Sequence, residues 1–134
     1  MIFGTKTTPV RLSGRCLCGC ITFTIPVPRK FDVCHCDDCR RWHGTSPVGI
    51  DGTDVELLSG ADQLRWYQGP TGAERGFCER CGSGLFYRYY PGSNRWSAYI
   101  GALVDIPPDI PLGGQHFSNE KPSNYAICAV KKFL

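Results

Sequence analysis

The chain has 134 residues, of which 42% are hydrophobic, and a formal net charge of +3. This length and apolar fraction suffice for one domain whose core needs no disulfide bonds. The basic residues form no run or stripe, which argues against a nucleic-acid binder, and no apolar segment approaches the roughly 18 residues of a membrane span. Sixteen glycines and ten prolines favour short strands and many turns, so the predicted class is mainly β.

The predicted elements begin after an extended or partly disordered lead-in over residues 1–13. Residues 40–43 fit one helical turn that Gly44 ends. Asp51-Gly52 predicts a tight turn between two strands, and prolines and glycines predict a long ordered loop over 101–125. The predicted extended segments are 20–25, 31–33, 47–50, 55–58, 63–67, 85–90 and 96–100. The last two are predicted to form a hairpin through residues 91–94.

The cysteines are the most informative residues, because eight of the nine fall into three short clusters. The N-terminus lacks the apolar region of a signal peptide, so we expect a cytoplasmic protein in a reducing compartment. Clustered thiols in such a compartment more often hold metal than form disulfides, and a bridge within a C-x-C pair would be strained. The two thiols outside the predicted metal sites, Cys20 and Cys128, fit small buried core positions.

Two cysteine pairs predict a closed structural zinc site. Cys78 and Cys81 are followed by glycine, as in a tight turn that points both sulfurs at one ion. Cys16 and Cys18 lie at i and i+2, which places both side chains on one side of an extended segment. Together they supply the four ligands of a tetrahedral site, for which iron is the main competitor.

The third cluster, Cys34, Cys36 and Cys39, provides three ligands and leaves one tetrahedral position open, as in catalytic zinc sites. The alternative is a second structural site completed by an acidic residue, Cys20, His35 or His43. His35 lies between two ligands and should point away from them. His43 follows Cys39 by four residues, so it either faces the metal as ligand or proton acceptor or is an ordinary, partly exposed histidine.

An open three-thiolate zinc is suited to take up a thiol. Three thiolates leave the zinc complex with about one negative charge, so the metal polarises a carbonyl weakly. A thiol that enters as the fourth ligand loses its proton, and the resulting thiolate attacks, or is released from, a small electrophilic carbon.

Three linked motifs resemble those of the glutathione-dependent formaldehyde-activating enzyme family, also called the centromere protein V family. They are the segments at 14–19 (GRCLCG), 34–41 (CHCDDCRR) and 75–83 (RGFCERCGS), and the similarity covers roughly residues 12–127. The sequence departs from the family pattern at two places. Cys20 stands where the family commonly has alanine, and the segment 116–125 lacks the tryptophan that is often found near there, with Tyr125 as the nearest substitute.

The resemblance implies a lead-in at 1–11 and a single zinc-binding domain over 12–134, with a β-tent fold of small antiparallel sheets around two zinc ions. The implied structural zinc is held by Cys16, Cys18, Cys78 and Cys81, and the implied catalytic-type zinc by Cys34, Cys36 and Cys39. The family reaction joins glutathione and formaldehyde into S-hydroxymethylglutathione, and its class is carbon-sulfur lyase.

The first functional hypothesis is therefore a lyase-type enzyme whose zinc-held thiolate adds to an aldehyde or leaves a hemithioacetal-like adduct. The proton could move through Asp37, Asp38 or His43. The guanidinium groups that could receive substrate carboxylates, although each also fits a solvated surface charge, are those of Arg40, Arg41 and Arg75.

The second hypothesis is a zinc module without catalytic activity, in which both metals are structural. In that case an aromatic surface of Trp42, Trp66 and Tyr87 would bind a partner, although aromatic residues at strand spacing also fit a core. The two hypotheses differ in whether the fourth position at the three-cysteine cluster is taken by the protein or by a small thiol such as glutathione.

Overall fold

The protein is described by a computed structural model over residues 10–125, and Cys128 lies outside the described residues. One α-helix, α1, spans Asp37–His43, and short 3-10 turns span Ala61–Gln63, Ile100–Ala102 and Ser118–Glu120. None of the helices in residues 10–125 is long and apolar enough to cross a membrane. The strands of this range are β1 Arg11–Arg15, β2 Thr22–Pro26, β3 Phe31–Cys34, β4 Val48–Thr53, β5 Glu56–Ser59, β6 Leu64–Gln68, β7 Glu74–Cys78, β8 Gly84–Arg88, β9 Trp96–Tyr99, β10 Leu103–Val104 and β11 Leu112–His116.

The strands form two sheets, so the predicted mainly β class is confirmed. The smaller sheet has the order β10-β1-β2-β5 and is antiparallel throughout. The larger has the order β11-β3-β4-β9-β8-β7-β6, and its pairs are antiparallel except for the parallel pair of β11 and β3. The predicted hairpin is present as β8 and β9.

The core lies between the two sheets and brings β2 against β8. In β2 every second side chain points inward, so Phe23 and Ile25 are both fully buried. Phe23 meets Phe86 of β8 edge-to-face, with ring centroids 4.8 Å apart. Gly14 of β1 makes room for this contact, because a Cβ at that position would overlap the Phe23 ring. The same packing brings the end of β1 close to the end of β7.

The predicted tight turn at Asp51-Gly52 is wrong, because both residues lie inside β4. β4 and β5 belong to different sheets and therefore do not form a hairpin. Gly52 has φ of +56°, and the register between β4 and β9 shifts beside it, so the dipeptide marks an irregularity in the strand.

The expected long loop over residues 101–125 is also wrong in part, because it contains β10 and β11. β11 has the sequence LGGQH, which lacks the alternation of a typical strand. It is held by its parallel pairing with β3 and by the N–H of Gly114, which donates to Asp32 Oδ1 at 2.7 Å. At the other end of the chain, residues 11–13 of the expected lead-in are part of β1.

Candidate metal centres and active site

The first thiol group consists of the four cysteines predicted for the structural site. Their sulfur atoms all lie within 4.8 Å of one another. Cys18 Sγ lies 3.6 Å from Cys16 Sγ and 3.9 Å from Cys78 Sγ. Ligands about 2.3 Å from a tetrahedral zinc ion are about 3.8 Å apart. Cys16, Cys18, Cys78 and Cys81 therefore form a donor set that fits a tetrahedral zinc ion.

Two glycines in the left-handed region shape the loops that carry these thiols. Gly82 has φ of +78° and donates its N–H to the carbonyl of Cys78 at 2.7 Å. Gly19 has φ of +82° and donates its N–H to the carbonyl of Cys16 at 3.1 Å. A residue with a Cβ would be strained at either position. These are the glycines that the sequence motifs place after each cysteine pair.

Cys20 does not occupy the core position in a strand that the sequence suggested. β2 begins at Thr22, so Cys20 lies in the preceding loop, and its sulfur is 3.3 Å from Cys18 Sγ and 3.5 Å from Cys78 Sγ. Desolvation and these neighbouring thiols raise the pKa of Cys20 to about 12. Cys20 is thus a fifth sulfur beside the first thiol group.

The second thiol group forms where β3 passes into α1. Cys34 is the last residue of β3, Cys36 is the N-cap of α1, and Cys39 lies in the first turns of the helix. Cys36 Sγ accepts the N–H of Cys39 at 3.3 Å. The three sulfurs lie within 4.8 Å of one another, and within residues 10–125 no fourth histidine, cysteine or carboxylate joins them at that distance. The donor set fits a metal ion with three protein ligands.

The alternative fourth ligands from the sequence lie elsewhere. His35 is fully buried and points away from the thiols, as predicted, with Nδ1 2.8 Å from Ser46 Oγ and Nε2 2.9 Å from Gln115 Oε1. His43 packs against Tyr99 with ring centroids 4.2 Å apart, and it does not line the cavity above the thiols. Burial, and then the charge of Arg75, lower the pKa of His43 to about 4.

Arg75 of β7 is the cation of the second thiol group. Its side chain is 6% exposed, its Nη2 donates to Cys39 Sγ at 3.4 Å, and its guanidinium carbon lies 5.2 Å from the centre of the Tyr87 ring. Hydrogen bonding from Cys34, and then the Arg75 guanidinium, outweigh burial and lower the pKa of Cys39 to about 5. Arg75 therefore stabilises the thiolate form of Cys39.

The other two candidate arginines are not in the cavity. Arg40 donates its Nε to the carbonyl of His35 at 2.9 Å, and Arg41 donates its Nε to Asp37 Oδ2 at 2.8 Å. The structure thus brings only Arg75, of the three predicted substrate-binding arginines, into contact with the thiols.

A cavity of about 500 Å³ opens above the second thiol group, and all three of its cysteines line it. Cavities of about 300–1,000 Å³ hold most small ligands. Three tyrosines from the β8–β9 region, Tyr87, Tyr89 and Tyr99, form a tyrosine wall of the cavity, and His116, Phe117 and Glu120 also line it. The remaining carboxylates that line it are Asp32, Asp37, Asp38 and Asp51.

Several of these wall residues were not predicted from the sequence. Tyr99 and Asp51 belong to strands whose register decides which side chains reach the cavity, and the pairing of these strands is not local in sequence. Tyr87 was named only in the partner-binding hypothesis, and the signal that could have grouped it with Tyr89 is their spacing of two, which puts both on one face.

The aromatic residues of the second hypothesis do not form one surface. Trp42 stacks on Tyr67, whereas Trp66 packs on Trp96 with ring centroids 4.9 Å apart. Of the three predicted residues, only Tyr87 lines the cavity. The structure therefore provides no observation that favours the partner-binding alternative.

Comparisons with known proteins point to one family. Residues 11–111 match the family model of the glutathione-dependent formaldehyde-activating enzyme. The chain is 32% identical over 114 residues to an uncharacterized lyase of Schizosaccharomyces pombe, with 84% of this chain and 82% of that protein covered. It is 33% identical over 111 residues to a Halomonas elongata protein provisionally named as a glutathione-dependent formaldehyde-activating enzyme, with 75% and 68% covered.

A solved structure shows the same fold. The crystal structure of a Rhodobacter sphaeroides protein superposes with a TM-score of 0.58 at 21% identity, and the match covers 75% of this chain and 99% of that one. The matched residues 11–111 include both thiol groups, and they amount to most of the sequence. The chain belongs to the glutathione-dependent formaldehyde-activating enzyme family.

Proposed function

We propose that the protein is a zinc-dependent enzyme of the carbon-sulfur lyase type that acts on the adduct of a small thiol and an aldehyde. The observation that carries the proposal is the position of Cys34, Cys36 and Cys39, which line a cavity of about 500 Å³ and have no fourth protein ligand within residues 10–125. Zinc bound there would supply a Lewis acid that lowers the pKa of a substrate thiol.

Arg75 balances the charge of the site. Three thiolates exceed the charge of one zinc ion by one, and the guanidinium of Arg75 compensates that excess. Because Arg75 is almost fully buried, little water screens its charge. A neutral site of this kind binds an incoming thiol at a lower electrostatic cost than an anionic one.

Asp38 is the best-placed proton acceptor on the cavity wall. Asp37 is engaged by Arg41 at 2.8 Å and by Arg40 at 3.6 Å, and its pKa is lowered by the hydrogen bond from Arg41. Asp38 forms no ion pair with another described residue, and it also lines the cavity. His43 does not line the cavity, so of the three candidates from the sequence Asp38 is the proposed proton acceptor.

The proposed reaction joins the substrate sulfur to the aldehyde carbon, or reverses that step. In the forward direction a C–S bond forms, the carbonyl π bond breaks, and the thiol proton is relayed by Asp38 to the aldehyde oxygen. The tyrosine wall packs against the substrate and limits the access of water. Glutathione and formaldehyde are the proposed substrates, because the family and the Halomonas relative carry that description.

Two measurements on the zinc-loaded protein test this proposal. The first is the exchange rate between free glutathione and S-hydroxymethylglutathione in a formaldehyde solution, measured by NMR exchange spectroscopy. We expect the native protein to accelerate the exchange and the Cys36→Ser variant not to do so. The second is zinc-edge absorption spectroscopy during a glutathione titration. A complete set of protein ligands that glutathione leaves unchanged would contradict the proposal.

A further inference from the structure

Cys20 provides a fifth sulfur beside the first thiol group, and its role there does not depend on the proposed function. Cys20 Sγ lies 3.3 Å from Cys18 Sγ and 3.5 Å from Cys78 Sγ. These separations are close to the 3.6 and 3.9 Å between sulfurs within the group. Cys20 therefore lies against the Cys18–Cys78 edge of the tetrahedron that the four ligands form.

We propose that Cys20 is a reserve zinc ligand that can replace Cys81. The distances of Cys20 Sγ to Cys18 Sγ and Cys78 Sγ resemble those between two ligands of one ion, so Cys20 can join these two as a co-ligand and the ligand that it replaces is Cys16 or Cys81. Cys16 is 1% exposed, and its sulfur accepts the N–H of Ile21 at 3.4 Å. The sulfur of Cys81 contacts Ser83 Oγ at 3.1 Å, but Cys81 is only half-buried and lies in the surface turn between β7 and β8, so of the two it is the ligand with more room to leave.

The backbone of Cys20 is well placed for this exchange. Its carbonyl accepts a hydrogen bond from Ser59 Oγ at 3.2 Å, and Gly60 packs so closely against it that a Cβ on Gly60 would overlap that carbonyl. The loop is thus anchored to β5 from one side. Rotation about the Cα–Cβ bond of Cys20 moves its sulfur while this backbone stays in place.

The exchange conserves the four-thiolate site. The bond between zinc and the Cys20 sulfur forms and the bond to the Cys81 sulfur breaks. Cys20 gives its thiol proton to water, and Cys81 takes a proton from water. The charge of the site is the same before and after. When Cys81 is lost, Cys20 therefore supplies the fourth thiolate, and the chain retains its metal.

Variants of Cys81 and Cys20 test the proposal through zinc content. We expect Cys81→Ser to keep the same number of zinc ions per chain as the native protein, as counted by elemental analysis after dialysis. The Cys20→Ser/Cys81→Ser double variant should lose one ion per chain, and Cys20→Ser alone should lose none. Cys78→Ser is the matched control, because Cys78 is fully buried and Cys20 contacts it, so this variant should lose the ion and, with it, the fold or the solubility that Cys81→Ser retains.

Three results would overturn the proposal: loss of the ion from Cys81→Ser alone, insolubility of that variant, or equal retention in the single and double variants. A second test needs no substitution. In the zinc-loaded native protein, slow alkylation followed by peptide mass analysis should label both Cys20 and Cys81, each in a fraction of the molecules. Labelling confined to Cys20 would show that the two sulfurs do not exchange.

Discussion

At the scale of single residues, Arg75 is the side chain whose role the structure changes most. From the sequence it was one of three arginines that could bind a substrate carboxylate or lie on the surface. In the structure it is buried, and it donates to Cys39 Sγ at 3.4 Å. A buried cation beside a thiolate favours the deprotonated sulfur, which is the form that binds metal.

We predict that Arg75→Gln weakens zinc binding at the second thiol group by about 10- to 100-fold, as is usual when a residue that contacts a metal ligand is lost. The measurement is competition for zinc with a chromophoric chelator. It should show a lower zinc affinity at the second thiol group and an unchanged zinc affinity at the first. Arg41→Gln is the control, because Arg41 is exposed and outside the cavity. Equal affinities in both variants would contradict the assigned role.

At the scale of elements, the junction of β3 and α1 determines the geometry of the second thiol group. Cys36 is both a proposed metal ligand and the N-cap whose sulfur accepts the N–H of Cys39. Serine is among the best N-cap residues, so a hydroxyl at position 36 preserves the start of the helix. The same junction is stabilised by His35, whose ring nitrogens contact Ser46 and Gln115.

Cys36→Ser should therefore leave the chain folded while it abolishes thiol binding. Circular dichroism and the thermal transition should resemble those of the native protein. The Co²⁺-loaded variant should show no change in its absorption bands when glutathione is added, whereas the native protein should. A variant that loses its fold, or one that still responds to glutathione, would contradict the division between a structural and a catalytic-type group.

Ser46→Ala should destabilise the junction more than Gln115→Ala does. Ser46 is buried, so its loss leaves Nδ1 of the buried His35 without a partner, at a cost of about 1–3 kcal/mol. Gln115 is exposed, so water can replace its contact with Nε2. Urea unfolding of the two variants measures the difference in free energy of unfolding. A larger loss for Gln115→Ala would show that the junction is braced from β11 instead.

At the scale of the whole molecule, the first thiol group connects the two sheets. Cys16 follows β1 of the smaller sheet, and Cys78 ends β7 of the larger one. Within the described residues, a metal ion held by these cysteines would add a second link beside the contact of Phe23 with Phe86. Binding of zinc there would contribute directly to the free energy of folding.

Cys16→Ser and Cys78→Ser should accordingly unfold the chain or make it insoluble, in contrast to Cys36→Ser. For the native protein, we expect a strong chelator to lower the Tm in a step that added zinc reverses. Scanning calorimetry with and without the chelator provides the measurement. If all three serine variants unfold to the same extent, the two groups do not differ in their contribution to stability.

The charge of the cavity affects which thiols bind there most tightly. Asp38, Asp51 and Glu120 line the cavity and form no ion pairs with other residues between 10 and 125. Asp51 is oriented toward the tyrosine wall, because its Oδ1 accepts from Ser97 Oγ at 3.1 Å and from Tyr89 at 3.4 Å. Arg75 also lines the cavity, but its charge is compensated by the Cys39 thiolate, so an ammonium group on the substrate thiol is favoured over a carboxylate.

We predict that cysteamine binds the Co²⁺-loaded protein more tightly than 3-mercaptopropionate does, with neutral 2-mercaptoethanol between them. Asp51→Asn should lower the cysteamine preference by about two- to five-fold, the usual size of an exposed charge contact. The changes in the cobalt absorption bands give the three affinities. Tighter binding of the anionic thiol would contradict the charge argument, and no response to any thiol would contradict the proposed function itself.

Features that depend on neighbouring residues were predicted from the sequence, whereas features that depend on long-range strand pairing were not. The alternation of β2, the helical turn before Gly44 and the hairpin of β8 and β9 were predicted, because each depends on neighbouring residues. The Asp51-Gly52 turn was misplaced, since the pairing of β4 with β9 overrides a local turn signal. β11 was missed because its pairing with β3 stabilises a segment that has no strand pattern of its own.

The amino-acid sequence by itself determined the division of the thiols into two groups, because the spacing within each motif decides which sulfurs can face one ion. It also determined the family, through the same three motifs. Only the tertiary structure decided that Arg75 and not Arg40 or Arg41 meets the thiols, and that Cys20 lies against Cys78 of the first group. Those contacts form between segments far apart in the chain, and sheet packing, which no local pattern encodes, brings them together.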